Sequence, residues 1–230
     1  MVAEHVAIHR PLVPRREQNP VTAATTRGRF ITLEGIDGAG KSTHAAWLVE
    51  ALSARGMHVV ATREPGGTAL GEALRDILLR QPMAHESEAL LMFAARREHV
   101  VRVIEPTLAR GDCVVCDRYT DATYAYQGGG HGVSLELIGM LERMLHPNCN
   151  PDLTLLFDVP GVVSRERLER MSAKGRELDK FEREALAFFE RVRNAYLARA
   201  AADPRRFRIV DSVRPLADVR ADLQRIVDAL

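Results

Sequence analysis

Strand-length apolar runs recur at 30–34, 57–62, 113–117, 153–159 and 207–211, and long stretches between them carry apolar residues at helical spacing. Ala45, Leu48 and Leu52 share one side of the stretch from Thr43 to Arg55. Leu90, Leu91, Val100, Val101, Ile104 and Leu108 predict a helix over 88–109, with Gly111 as its stop, and Phe181, Leu186, Phe189, Val192 and Tyr196 predict another over 179–202. The runs are continuously apolar rather than alternating, as in strands buried on both faces. The pattern therefore predicts an α/β fold with a parallel sheet of about five strands and helices on both faces. Residues 1–28 lack either period and carry Pro11, Pro14 and clustered arginines, so they are expected to form a disordered extension before a single domain over 29–230. A charge-dense stretch from Ser164 to Arg176 has little apolar periodicity, and a mobile lid over about 163–178 is expected there.

Composition narrows the partners. Lys+Arg of 32 against Asp+Glu of 31 leaves a net charge of +1, which supplies no overall field to recruit nucleic acid or an anionic membrane. Phosphate recognition must then rest on where individual arginines sit. No apolar run approaches the roughly 20 residues of a membrane helix, and the N-terminus lacks a signal-peptide core, so a cytoplasmic protein is expected. Three cysteines cannot all pair, which suits a reducing compartment. Cys113 and Cys116 stand three apart within a strand-like run, where they point to opposite faces, so they are expected to be buried small residues rather than a metal or redox pair.

The chemistry begins at Gly35-Ile36-Asp37-Gly38-Ala39-Gly40-Lys41-Ser42-Thr43, a full G-x-x-x-x-G-K-S loop between the first strand and the first helix. The glycines let successive amides turn inward on a polyphosphate, Lys41 reaches the outer phosphates, and Ser42 can ligate Mg²⁺. Strand, loop and helix in this order predict the P-loop NTPase fold. No N-K-x-D element for reading guanine is present. The third strand ends in Asp117, at the sheet edge where such folds bind ligands, where its carboxylate can hold the Mg²⁺ hydration shell. Arg118 follows it, and a guanidinium there can grip a second phosphate with two hydrogen bonds, which a phosphate-accepting kinase needs and a motor does not. Thr123 and Gln127 stand four apart and share a helical face from which they can read the edge of a base.

Four separated segments resemble the bacterial thymidylate kinase family. They are Phe30 to Thr43, Thr62-Arg63-Glu64-Pro65-Gly66-Gly67-Thr68, Asp117-Arg118-Tyr119 through Ala125-Tyr126-Gln127-Gly128-Gly129, and Leu178-Asp179-Lys180-Phe181-Glu182. The resemblance extends over 29–230 and implies Mg²⁺-dependent transfer of the ATP γ-phosphate to dTMP. It places Asp37 near nucleotide sugar and phosphate, Arg63 and Arg118 near the acceptor phosphate, and Thr123 and Gln127 beside thymine. The family stacks thymine on an aromatic residue one turn before an arginine. Phe93 and Arg96 are expected in those roles, with Arg97 in reserve, although Met92 falls at the usual aromatic place if Arg96 is the partner. Ala122 and Lys180 stand where relatives often have Ser and Arg. Asp37-Gly38-Ala39 carries no loop arginine, so the lid is expected to supply the transition-state charge, from Arg170 first and Arg176 second; Arg167 and Lys174 are also available. The family resemblance further implies a homodimer through helices flanking the sheet. Two other readings remain open at this point: a kinase for another nucleoside monophosphate or a deoxynucleoside, and a nucleotide-dependent switch or binding module.

Overall fold

The computed structural model describes residues 27–230, so the expected N-terminal extension lies outside the described residues except for Arg27 and Gly28. These two are already tied to the domain: Gly28 N donates to Leu108 O at 2.8 Å, and Arg27 pairs with Asp152 at 2.8 Å.

Five parallel strands form one sheet in the order β2-β3-β1-β4-β5, with β1 Phe30–Glu34, β2 Val59–Arg63, β3 Cys113–Asp117, β4 Leu153–Asp158 and β5 Phe207–Asp211. The strand count, the parallel sense and three of the five strand spans are as the apolar pattern predicts. Its second strand lies slightly later than expected. The central strands β1, β3 and β4 are buried along almost their whole length, whereas β2 and β5 form the edges and are partly exposed. That burial explains the uninterrupted apolar runs. Cys113 and Cys116 are both buried and unpaired, and burial pushes both thiols up, as befits inert core residues.

Helices cover both faces: α1 Lys41–Ala54, α2 Ala69–Arg80, α3 His85–His99, α4 Glu105–Ala109, α5 Thr120–Thr123, α6 Leu135–Leu145, α7 Gly161–Ser172, α8 Leu186–Ala202 and α9 Leu216–Asp228. Two expectations change in detail. The 88–109 helix starts earlier and is interrupted by wide π-type turns over Val100–Ile104, just before Pro106, whose missing amide and ring disfavour regular helix pairing. The 179–202 helix begins only at Leu186. The Asp179 carboxylate accepts from the amides of Phe181 at 2.9 Å and Glu182 at 3.0 Å, and this local turn replaces the first helical turns. The charge-dense stretch is itself largely helical. Gly161, Ser164 and Leu168 form the buried stripe of α7.

Register decides what meets at the carboxyl edge. Leu33 of β1 and Arg63 of β2 both pair with Asp117 of β3, so β2 and β3 end level and β1 runs one residue further, to Glu34. The residue after Asp117 is thereby delivered beside the end of β1, where Arg118 N donates to Leu33 O at 3.0 Å.

Candidate active site

The loop after β1 turns sharply because Gly35 runs against β4. Its φ is +133°, and a Cβ there would lie 2.3 Å from Phe157 O. Lys41, at the start of α1, is 6% exposed and points back into the loop, donating to Gly35 O at 3.1 Å and Ile36 O at 3.2 Å. Burial and the neighbouring Arg118 lower its pKa. Two elements distant in sequence brace the loop. Ser164 of α7 donates to Asp37 O at 2.6 Å, and Ser212, beyond β5, donates to Ala39 O at 2.5 Å.

Arg118 adopts a left-handed backbone, φ 69°, which a non-glycine residue holds only where its surroundings impose it. Its guanidinium donates to Gly35 O at 2.8 Å, Tyr196 OH at 3.1 Å, Asp37 Oδ1 at 2.5 Å and Tyr126 OH at 3.0 Å. Tyr126 OH in turn donates to Asp37 Oδ2 at 2.8 Å. Burial works against the Asp37 charge, but Arg118 and Lys41 outweigh it and hold the carboxyl below the usual range.

These groups border a cleft of about 790 Å³ lined by nine Lys/Arg and five Asp/Glu side chains. Among them are Lys41, Arg63, Arg118, Arg167, Arg170, Lys174 and Arg176, while Gly38, Gly40, Ser42 and Thr43 supply its loop wall. The near-neutral chain thus has a local excess of positive charge in this cleft, as an anionic ligand requires. Asp117 also lines this cleft, and its Oδ1 is buried without a hydrogen-bond partner.

A second cavity of about 80 Å³ adjoins the first and shares Asp37, Glu64, Arg75, Arg118 and Asp179 with it. Its walls include Pro65, Leu79, Met92, Ala122, Tyr126 and Phe181, with Arg96, Thr123 and Gln127 as polar groups. Arg96 is 2% exposed, and its Nε donates to Glu64 Oε2 at 2.7 Å, while Nη2 donates to Thr123 Oγ1 at 3.0 Å and Tyr119 O at 3.2 Å. Its Nη1 has no partner. Glu64 is held from the other side by His99, whose Nδ1 lies 2.9 Å from Oε1; burial opposes the Glu64 charge, but Arg96 and His99 keep its pKa low. Gln127 Nε2 donates to Glu88 Oε1 at 2.8 Å, which leaves its carbonyl oxygen as the free end of the amide.

The structure brings together most of the residues expected from sequence, but separates two, Phe93 and Arg97. Phe93 lies in a core cluster with Ala89, Val133, Ile138 and Leu141, and Met92 lines the small cavity instead. Helical spacing explains the swap: Met92 and Arg96 are one turn apart on the face toward the cavity, whereas Phe93 is rotated toward α6. Arg97 is exposed and donates to Leu145 O at 2.8 Å, away from both cavities. Arg63 reaches the cleft wall yet is tied to Glu72 at 2.9 Å. On α7, Arg170 is exposed and donates only to Glu166 O of its own helix at 3.1 Å, while Arg176 pairs with Glu182 at 2.5 Å. Lys174 no longer continues the helical spacing of Arg170, because α7 ends at Ser172 and Gly175 turns the chain with φ +88°.

Sequence reasoning did not single out Arg75, Arg214, Ser212 or Glu64 as site residues. Arg75 sits on α2 and donates to Pro65 O at 2.9 Å at the junction of the two cavities. Nothing local distinguishes it from any helix-surface arginine. Glu64 did have a signal, because a charged residue directly after an apolar strand at the carboxyl edge is placed to face the ligand.

Residues 33–223 match the family profile described as thymidylate kinase. The chain belongs to the thymidylate kinase family. It is 62% identical over 206 residues to the thymidylate kinase of Bordetella petrii, covering 90% of this chain and 98% of the relative. The thymidylate kinase of Methylobacillus flagellatus is 59% identical over 201 residues, 87% of this chain and 97% of that one. A crystal structure of thymidylate kinase from Ehrlichia chaffeensis superposes with a TM-score of 0.70 at 34% identity, covering 87% of this chain and 99% of its own. For a member of this family, a phosphotransferase, the two adjoining cavities fit a reaction in which phosphate moves between two nucleotides. No helix among the described residues is long and apolar enough to cross a membrane.

Proposed function

We infer that this member of the thymidylate kinase family transfers the ATP γ-phosphate to dTMP, with the triphosphate in the large cleft and thymine in the small cavity. The observation that carries the reading is the opposite polarity of two groups in the small cavity. Arg96 Nη1 is a buried donor without a partner, and Gln127, its amide nitrogen committed to Glu88, offers an acceptor. Thymine presents a carbonyl at C4 and an N3–H, which match donor and acceptor in turn. Cytosine presents the reverse pair and would leave buried polar groups unsatisfied, at about 1–3 kcal/mol each.

Arg118, shared by the two cavities, is the acceptor-phosphate ligand in this reading, with Arg75 and Arg63 beside it. The dTMP phosphate is already anionic near neutral pH, so the chain needs no strong base and works by positioning and charge neutralisation. Arg170 is the first lid candidate for the transferring phosphoryl group and Arg176 the second. Asp117 Oδ1 and the exposed Ser42 hydroxyl are hard oxygen donors suited to Mg²⁺. Mg²⁺ bound there would neutralise charge on the outer phosphates. Leu90 on α3 and Val101 in the turns that follow it, with Met140 and Met144 on α6, are exposed apolar residues that a second copy of the chain would cover, and a cytoplasmic homodimer is the expected form.

A coupled ADP-release assay with ATP, Mg²⁺ and each nucleoside monophosphate tests the substrate. Turnover with dTMP, weaker turnover with dUMP and little with dCMP or dGMP is expected; equal turnover with dCMP would refute the cavity reading. Light scattering tests the dimer, and Met144→Asp is expected to shift it toward monomer.

A further inference from the structure

Glu34, the last residue of β1, is wholly buried, and no Lys or Arg nitrogen lies within ion-pair distance of it among the described residues. Its Oε1 accepts from the Tyr119 amide at 2.7 Å and its Oε2 from Tyr196 OH at 2.8 Å. Both partners belong to Arg118. Tyr119 N is the amide that follows Arg118 in the chain, where the backbone is left-handed, and Tyr196 OH accepts from Arg118 Nη1 at 3.1 Å. One carboxyl group therefore grips the arginine from two sides, through its backbone and through its side-chain partner. The nearby arginines Arg199 and Arg206 are occupied by Asp121.

We propose that Glu34 is a positioning residue for dTMP, setting the Arg118 guanidinium through Tyr196 and the Tyr119 amide. An acid buried with only hydroxyl and amide partners is costly, and an apolar residue would fill the same space at the end of β1 more cheaply. Burial, then the Asp121 charge, pushes the Glu34 carboxyl up to about 8, against the pull of Arg118. A group held so expensively beside the one strained non-glycine backbone among the described residues fits a site that must be preorganised.

The proposal rests on the reading of Arg118 as the acceptor-phosphate ligand, so the test includes that residue. Steady-state kinetics are measured for Glu34→Gln, Tyr196→Phe, the double variant and Arg118→Lys, each with a thermal melt. Glu34→Gln and Tyr196→Phe are each expected to raise the dTMP KM roughly tenfold while leaving the ATP KM unchanged, and the double variant to be no worse than the weaker single. Arg118→Lys should raise the dTMP KM at least as far. An unchanged dTMP KM in Glu34→Gln beside a raised one in Arg118→Lys overturns the proposal. So do effects that multiply in the double variant, or a matching rise in the ATP KM. An unchanged dTMP KM in Arg118→Lys removes the Arg118 reading itself, and the role of Glu34 with it. If Glu34→Gln does not fold, Tyr196→Phe decides, and its dTMP KM must rise selectively.

Discussion

Arg118 and Arg170 line the same cleft and are held in opposite ways. The Arg118 side chain is 17% exposed and commits both terminal nitrogens to four protein acceptors, including the Asp37 carboxylate, which leaves Nε as its donor without a partner among the described residues. Arg170 is exposed and has one hydrogen bond, to its own helix. The first charge has met its desolvation cost before any ligand arrives, because Asp37, two tyrosines and a carbonyl replace its water. The second keeps its hydration and rotamer freedom until something draws it inward. A nucleotide kinase benefits from both kinds. The acceptor must be seated in a fixed place, and the transition-state charge is safest delivered only when both substrates are present, since an active centre assembled on ATP alone would hydrolyse it.

The strongest test of this contrast is Arg118→Ala. It leaves Asp37 without its main partner, and the pair is partly exposed, so the cost lies below the roughly 3–5 kcal/mol of a fully buried pair. A fall in kcat/KM for dTMP on the order of a thousandfold is expected together with a lower unfolding midpoint in urea. An intact dTMP KM would break the assignment. Arg170→Ala should instead lower kcat by roughly 100- to 1,000-fold, the cost of losing one donor aimed at developing charge, with the dTMP KM near wild type and the melting temperature unmoved. If kcat stays unchanged, the role passes to another cleft cation, with Arg176 next in line.

Smaller effects sharpen the same division within the small cavity. Arg96→Lys exchanges a planar fork for a point charge, and the preference for dTMP over dCMP should narrow by roughly ten- to a hundredfold in competition assays. Neighbours on α3 should then behave in contrasting ways. Phe93→Leu is expected to cost about 1–2 kcal/mol of stability, measured in urea, with dTMP kinetics preserved, because the ring packs against α6. Met92→Ala should raise the dTMP KM a few-fold. Arg97→Ala, an exposed residue bonded to a carbonyl of α6, should stay within about 0.5 kcal/mol and leave kinetics untouched.

The difference between Phe93 and Met92 shows where the sequence stops being sufficient. Both are apolar, adjacent and on a helix, and helical spacing alone leaves the facing of the helix open by one residue. Packing against α6 chooses, and it turns Phe93 to the core and Met92 to the cavity. The same limit applies to Arg75 and Arg214, ordinary helix and loop arginines until the fold brings them to the cleft. The start of α8 departs from the apolar period for a related reason. The apolar positions from Phe181 onward keep a helical period, but the Asp179 side chain captures two amides and makes a turn there.

Much was nevertheless determined by sequence alone. Continuous apolar runs can be buried only between two layers of helix, so the parallel five-stranded sheet follows from local pattern. The phosphate loop likewise follows from contiguous residues, because its chemistry lies in the backbone that Gly35 to Ser42 permits. What tertiary structure decided is which distant side chains share the edge of that sheet. Parallel register ends β1, β2 and β3 within one residue of each other, so that Arg118 meets Gly35 and Asp37, Glu64 meets Arg96, and Glu34 meets Tyr196 across the domain. Those meetings depend on crossover connections and helix packing, long-range constraints that no window of the sequence contains.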